Sequence, residues 1–186
     1  MSGLDVNAVG PRGDYYDATR VAQALGLERS FQNMTDATPD ATLRDARMVK
    51  MQLVVNGEAS AALLPNQLVT YKTLLSGEKV VKAAATVGTL IHGVVDSHLP
   101  AAGVPAGSAF WMTREGPTKF INDAAAALTE FLPLSVSPSV AGSVRATDLT
   151  PSSDADGMDQ QVGRVGQAEA AADASATFWG YLKLAQ

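Results

Sequence analysis

The chain has 186 residues, a formal net charge of −5 and no cysteine, and its charged residues make up 18% against the ~25% of ordinary soluble domains. Such a length suits one domain, or a small domain with an extended arm, and the missing cysteines exclude disulfides, thiolate catalysis and thiolate zinc sites. The fourteen Lys and Arg residues are scattered without a run, which argues against nucleic-acid and membrane-surface partners, and no apolar run approaches the ~20 residues of a spanning helix.

Residues 1–47 differ from the remainder in being charge-rich with a polar middle. Between Asp14 and Glu28, Tyr15, Ala18, Val21, Ala22 and Leu25 recur at three- and four-residue steps. That spacing predicts a short amphipathic helix with Asp14 as N-cap and Gly26 near its end. Thr35 to Asp40 reads as loop. Residues 1–47 are therefore expected to form an N-terminal arm, and residues 48–186 a β-rich core domain.

From Met48 the rhythm becomes that of short strands. Met48 to Val55 ends at Asn56-Gly57, a dipeptide that favours a tight hairpin, with Ala59 to Leu64 as the return strand. Leu68–Leu75, Lys79–Ala85, Thr89–Val95, Ser108–Thr113 and Thr118–Ile121 follow, with Arg114-Glu115-Gly116-Pro117 read as a turn between the last two. Asn122 to Glu130 is Ala-rich and reads either as a helical turn or as a hairpin tip. Ser143–Thr147, Val162–Ala168 and Thr177–Leu184 complete the strands, and Asp148 to Gln160 is an acidic loop. Strands at this spacing predict an all-β fold, an antiparallel sandwich or small barrel, carrying an arm with a short helix.

Candidate chemistry is sparse. His92 and His98 flank Asp96, but an Asp/His site needs further ligands or an activated nucleophile, so they read as surface or turn histidines. Asp154-Ala155-Asp156-Gly157 has the middle of a calcium loop but places Gly163 where the bidentate Glu belongs, and a looser site from Asp154, Asp156 and Asp159 is the weaker reading. Gly93-Val94-Val95-Asp96 looks like the hairpin of trimeric dUTPases, yet Leu99 stands where that family has its Tyr and the Gly-rich C-terminal motif is missing. Phe110/Trp111 and Phe178/Trp179, with Tyr181, form a candidate carbohydrate platform. As adjacent residues on strands, each pair should point one ring inward and one outward, and outward aromatics are more often interface anchors. No catalytic residue, metal site or cofactor is expected.

The segments Gly88 to Asp96, Val104-Pro105-Ala106-Gly107-Ser108-Ala109-Phe110-Trp111, Gly116 to Ile121, Leu132 to Val144, Val162 to Ala168 and Phe178 to Leu184 share a Gly/Pro placement. In that placement the chain resembles the small β-proteins that decorate and cement the capsids of tailed bacteriophages. The resemblance covers roughly half the chain and lies in turn positions more than in chemistry. It implies a non-enzymatic virion protein on the capsid exterior, made in the host cytoplasm, with the major capsid protein as partner and a dimeric or trimeric state. Under it, residues 1–47 would reach a neighbouring subunit, with Tyr15, Tyr16 and Phe31 as capsid contacts. A tail or fibre-anchoring protein and a carbohydrate-binding β-module are the alternatives.

Overall fold

The computed structural model describes residues 10, 12–32, 48–73, 78–86, 89–123, 127–147, 162–166 and 176–184. Among them eleven strands form one mixed sheet. In chain order they are β1 (Tyr15–Asp17), β2 (Glu28–Gln32), β3 (Met48–Asn56), β4 (Leu68–Tyr71), β5 (Lys79–Lys82) and β6 (Gly93–Val95). β7 (Ser108–Ile121), β8 (Pro133–Val136), β9 (Val144–Ala146), β10 (Gly163–Val165) and β11 (Thr177–Lys183) follow. No helix among the described residues is long and apolar enough to cross a membrane.

The sheet curls because β7, fourteen residues long, serves two neighbourhoods at once. β3 pairs with β5, β5 with β4, β4 with β6, β6 with β7, and β7 returns to β3. Five strands thus close on themselves, which removes their free edges. β3 and β5 run parallel and the other pairs are antiparallel. Each strand sends alternate residues into the ring: Val54, Val69, Val80, Val95, Phe110 and Met112 pack there with Leu63, Leu99 and Val104.

The intervening residues of β3 and β7 face the other way. Met51, Leu53, Val55, Ala109 and Trp111 form a second cluster, covered by Val21, Ala24, Leu25, Leu27 and Phe31 of the N-terminal segment. β1 pairs with the start of β7 and β2 pairs with β3, so residues 15–17 and 28–32 belong to the sheet.

Beyond its midpoint β7 joins a second ring. It pairs with β11, β11 with β10, β10 with β8, and β8 with β9, while an Asn122–Val144 bridge links β9 back to the end of β7. Phe120, Leu134, Val136, Val144, Val165, Phe178 and Leu182 pack together there with Leu68, Ile91 and Val94 from the outer face of the first ring. Phe120 and Phe178 stack with centroids 5.9 Å apart.

The handover between the rings is a β-bulge. Thr113 opposes Met51 and Glu115 opposes Lys50, so Arg114 is an extra residue with no counterpart on β3. Two residues on, Gly116 adopts φ 111°, and a Cβ there would lie 2.9 Å from the Met48 carbonyl oxygen. Only glycine accepts both the backbone conformation and that approach.

Several local expectations change in this setting. The spacing that suggested a helix over Asp14–Glu28 belongs instead to β1, a single 3-10 turn at Ala22–Ala24, and the start of β2. Of its apolar residues, Ala18, Val21 and Leu25 are recruited to cover Trp111 and β3, and tertiary packing overrides a weak periodic signal. Arg114 to Pro117 is not a turn, because β11 pairs continuously across it from Lys183–Glu115 to Thr177–Ile121. Asn56-Gly57 does not make a two-residue hairpin. The buried Asn56 side chain donates to the carbonyls of Ala61 (3.0 Å) and Val104 (2.8 Å), and β3 meets β5 instead. The acidic loop with Asp154, Asp156 and Asp159 lies outside the described residues.

Gly93 tests the closeness of the first ring. A Cβ on it would stand 2.5 Å from Met112 Cγ and Sδ and 2.6 Å from the Thr113 carbonyl oxygen. Gly93→Ala should therefore destabilise the fold by about 1–3 kcal/mol, read as a lower urea midpoint with unchanged m-value.

Candidate functional site

Three places combine unusual chemistry with a position the fold enforces. The first is at Asp96, immediately after β6. Its side chain is 1% exposed, and Arg12 grips it with both ends of the guanidinium fork, Nη2 to Oδ1 at 2.8 Å and Nε to Oδ2 at 3.2 Å. The His98 backbone N–H donates to Oδ1, and His98 Nδ1 lies 3.2 Å from the same oxygen. Burial alone would raise the Asp96 pKa, but the hydrogen bonds from His98 and Arg12 and their charge outweigh it and hold the carboxyl at about 2. Both carboxylate oxygens are thus committed to Arg12. The group is a tie between the N-terminal segment and the first ring, not a base awaiting a substrate.

His92 does not join that cluster. Its Nδ1 accepts from the Tyr71 backbone N–H and lies 3.3 Å from Thr70 Oγ1. No group of three or more His, Cys, Asp or Glu that could hold a metal occurs among the described residues. The first and last residues of Gly93-Val94-Val95-Asp96 have structural uses: Gly93 admits Met112, and Asp96 holds Arg12.

The second place is one mouth of the first ring. Inward-facing positions continue past the apolar filling to Gln52 on β3, Tyr71 on β4 and Arg114 at the bulge. Arg114 Nη1 donates to Gln52 Oε1 (2.9 Å) and to Tyr71 Oη (2.6 Å), and Tyr71 Oη donates to Gln52 Oε1 (2.9 Å). The His92 ring lies against Tyr71 with centroids 4.0 Å apart. Burial lowers the His92 pKa, and the nearby Arg114 charge lowers it further.

The third place is the turn before β8. Leu132 N–H reaches back to the Thr129 carbonyl at 3.3 Å, and Phe131 N–H donates to Val165 O at 2.9 Å. Phe131, third in that turn, adopts φ 67°, the position and sign at which turns usually place glycine. Its side chain is not sheltered in exchange, for Phe131 is 73% exposed. Arg164 Nη1 donates to the Phe131 carbonyl at 3.3 Å.

The residues expected to contact a capsid are divided. Tyr15 is 40% exposed. Tyr16 packs on the second cluster, and burial, then Asp14, raises its pKa. Phe31 meets Trp111 edge-on at 5.1 Å between centroids. The candidate carbohydrate platform is mostly internal: Phe110 fills the first ring, Phe178 the second core, and Trp179 is buried beside Lys119, while Tyr181 is half-buried. Trp111 does face outward from its ring as alternation requires, but the N-terminal segment covers it and Gly10 O accepts from its Nε1.

No protein-family model matches the chain, and no curated protein matches it.

The Asp96 tie has a defined pH signature. Its folded pKa of about 2 lies below the ordinary carboxyl value of 3.8, so its stabilisation is complete above pH ~4 and is lost as pH falls through about 2. Asp96→Asn should remove about 2 kcal/mol of that acid-side slope when urea midpoints are compared from pH 5 to pH 2. Arg12→Ala should cost more at pH 7, about 3–5 kcal/mol, because it leaves a buried carboxylate without its counter-ion.

Proposed function

We propose that the protein is a non-enzymatic virion component that adheres to assembled major capsid protein and cements the shell of a tailed phage, itself as a dimer or trimer. The resemblance in Gly/Pro placement supplies the virion setting, and the all-β fold is compatible with it. Phe131 is the observation that carries adhesion as the mode of action.

A bulky residue in the left-handed region costs on the order of 1–3 kcal/mol, persists only where the surrounding structure holds it, and such strain clusters at functional sites. Here the strained backbone presents a ring to solvent, where it adds nothing to the chain's own core. Exposed, rigidly held aromatics are the residues that anchor protein interfaces. The Phe131 backbone is held through its N–H and its carbonyl by Val165 and Arg164 on β10, so little backbone order remains to be lost on binding. Asp96, by contrast, is spent on an internal ion pair. Each added contact on a shell needs only modest energy, because many equivalent copies act together.

The reading separates stability from function at one residue. Phe131→Gly should keep or slightly raise the thermal midpoint, by about 1 kcal/mol or less of added stability, because the turn conformation suits glycine. The same variant should bind assembled shells on the order of tenfold or more weakly in co-sedimentation. Full binding by Phe131→Gly would contradict the assignment of the anchor, and failure of the unaltered chain to sediment with any shell would contradict the proposed function.

A further inference from the structure

We propose that Arg114, at the mouth of the first ring, receives a carboxylate on the guanidinium nitrogens that Gln52 and Tyr71 leave open. The ligand class is a carboxylate group, from a small molecule or from an acidic side chain of a protein partner.

The geometry is that of a prepared receptor. The bulge takes Arg114 out of register with β3 and sets its side chain at the ring mouth. Gln52 Oε1 and Tyr71 Oη fix Nη1 in a closed triangle of hydrogen bonds, so the plane of the guanidinium is set before any ligand arrives. Among the described residues no carboxylate lies within ion-pair distance of Arg114, whereas Arg12 and Lys50 have theirs in Asp96 and Glu28. The residue is only partly exposed. A charge held in such a place without a counter-ion is costly unless something else uses it. Nη2 and Nε remain, and one edge of a guanidinium offers two N–H groups matched to the two oxygens of a carboxylate. A phosphate group is usually met by several cations or a nest of backbone N–H groups, and a single arginine favours the smaller charge. Ring mouths are also where β-barrels commonly place ligands.

His92 supplies a reporter within the site. Thr70, Tyr71, Leu90 and Arg114 surround its ring; burial, and after it the Arg114 charge, depresses its protonation. A carboxylate on Arg114 neutralises that field, so bound ligand should raise the His92 titration midpoint.

The experiment follows the His92 ring resonances by NMR through pH titrations in acetate, inorganic phosphate or chloride at matched ionic strength. Acetate should give a saturable rise in the midpoint, and phosphate and chloride only the shared ionic-strength drift. Arg114→Gln should start from a higher midpoint and show no acetate response. Arg114→Lys keeps the charge but loses the fork, so it should keep the low midpoint and need several-fold more acetate; it also stands in where the Gln variant fails to fold. Equal drift in all three salts, saturation by phosphate and not acetate, or an acetate response that survives in Arg114→Gln would each overturn the proposal. Sedimentation with shells then distinguishes the source, and this arm alone rests on the capsid reading. Loss of binding in Arg114→Gln assigns the carboxylate to a shell subunit, and unchanged binding assigns it to a small molecule.

Discussion

One strand shared between two closed rings is the constraint from which the rest of this molecule follows. β7 is bounded by β3 and β6 in its first half and by β11 in its second. No straight strand can serve both rings, so the chain must bend between them. It does so with one extra residue and one glycine, Arg114 and Gly116. The bend fixes which side chains point into each ring and delivers an arginine to the mouth of the first. It also brings the outer face of that ring, with Leu68 and Val94, into the core of the second. Packing, the polar triangle at the mouth and the placement of the β8 turn are consequences of that arrangement.

The N-terminal segment shows how burial decides the fate of a locally ambiguous sequence. Alternation on β3 and β7 leaves a second apolar face outside the first ring, and water must be kept from Trp111. Phe31, Leu25 and Val21 cover it, and the Arg12–Asp96 pair fastens the start of the segment across the chain. Tyr16 and Phe31 are thereby occupied at home. Tyr15 and Phe131 are left among the large side chains that face solvent.

What could be read from the sequence was what depends on nearest neighbours. The runs Met48 to Val55 and Thr177 to Leu184 announced strands, and the spacing of such runs between turns announced an all-β fold. Signals that serve two purposes misled. Gly116-Pro117 marks a turn as well as it marks a bend in a continuous strand, and Asn56-Gly57 marks a hairpin as well as a buried, carbonyl-seeking Asn beside a glycine. The candidate sites were the least legible. The Arg114, Gln52 and Tyr71 triangle joins residues far apart in the chain and exists only once the ring closes. Phe131 carries no sequence mark, because its positive φ and its backbone hydrogen bonds to Val165 and Arg164 exist only once β10 lies beside the turn.

We propose that this chain grips an assembled surface through the strained turn before β8. A photo-crosslinking amino acid placed at position 131 tests it most directly, with the chain mixed with assembled shells, with unassembled shell subunits, or alone. The account predicts an adduct to the shell subunit that forms on assembled shells and is weak or missing with free subunits. An adduct only between copies of the chain itself, or none with assembled shells, would contradict it.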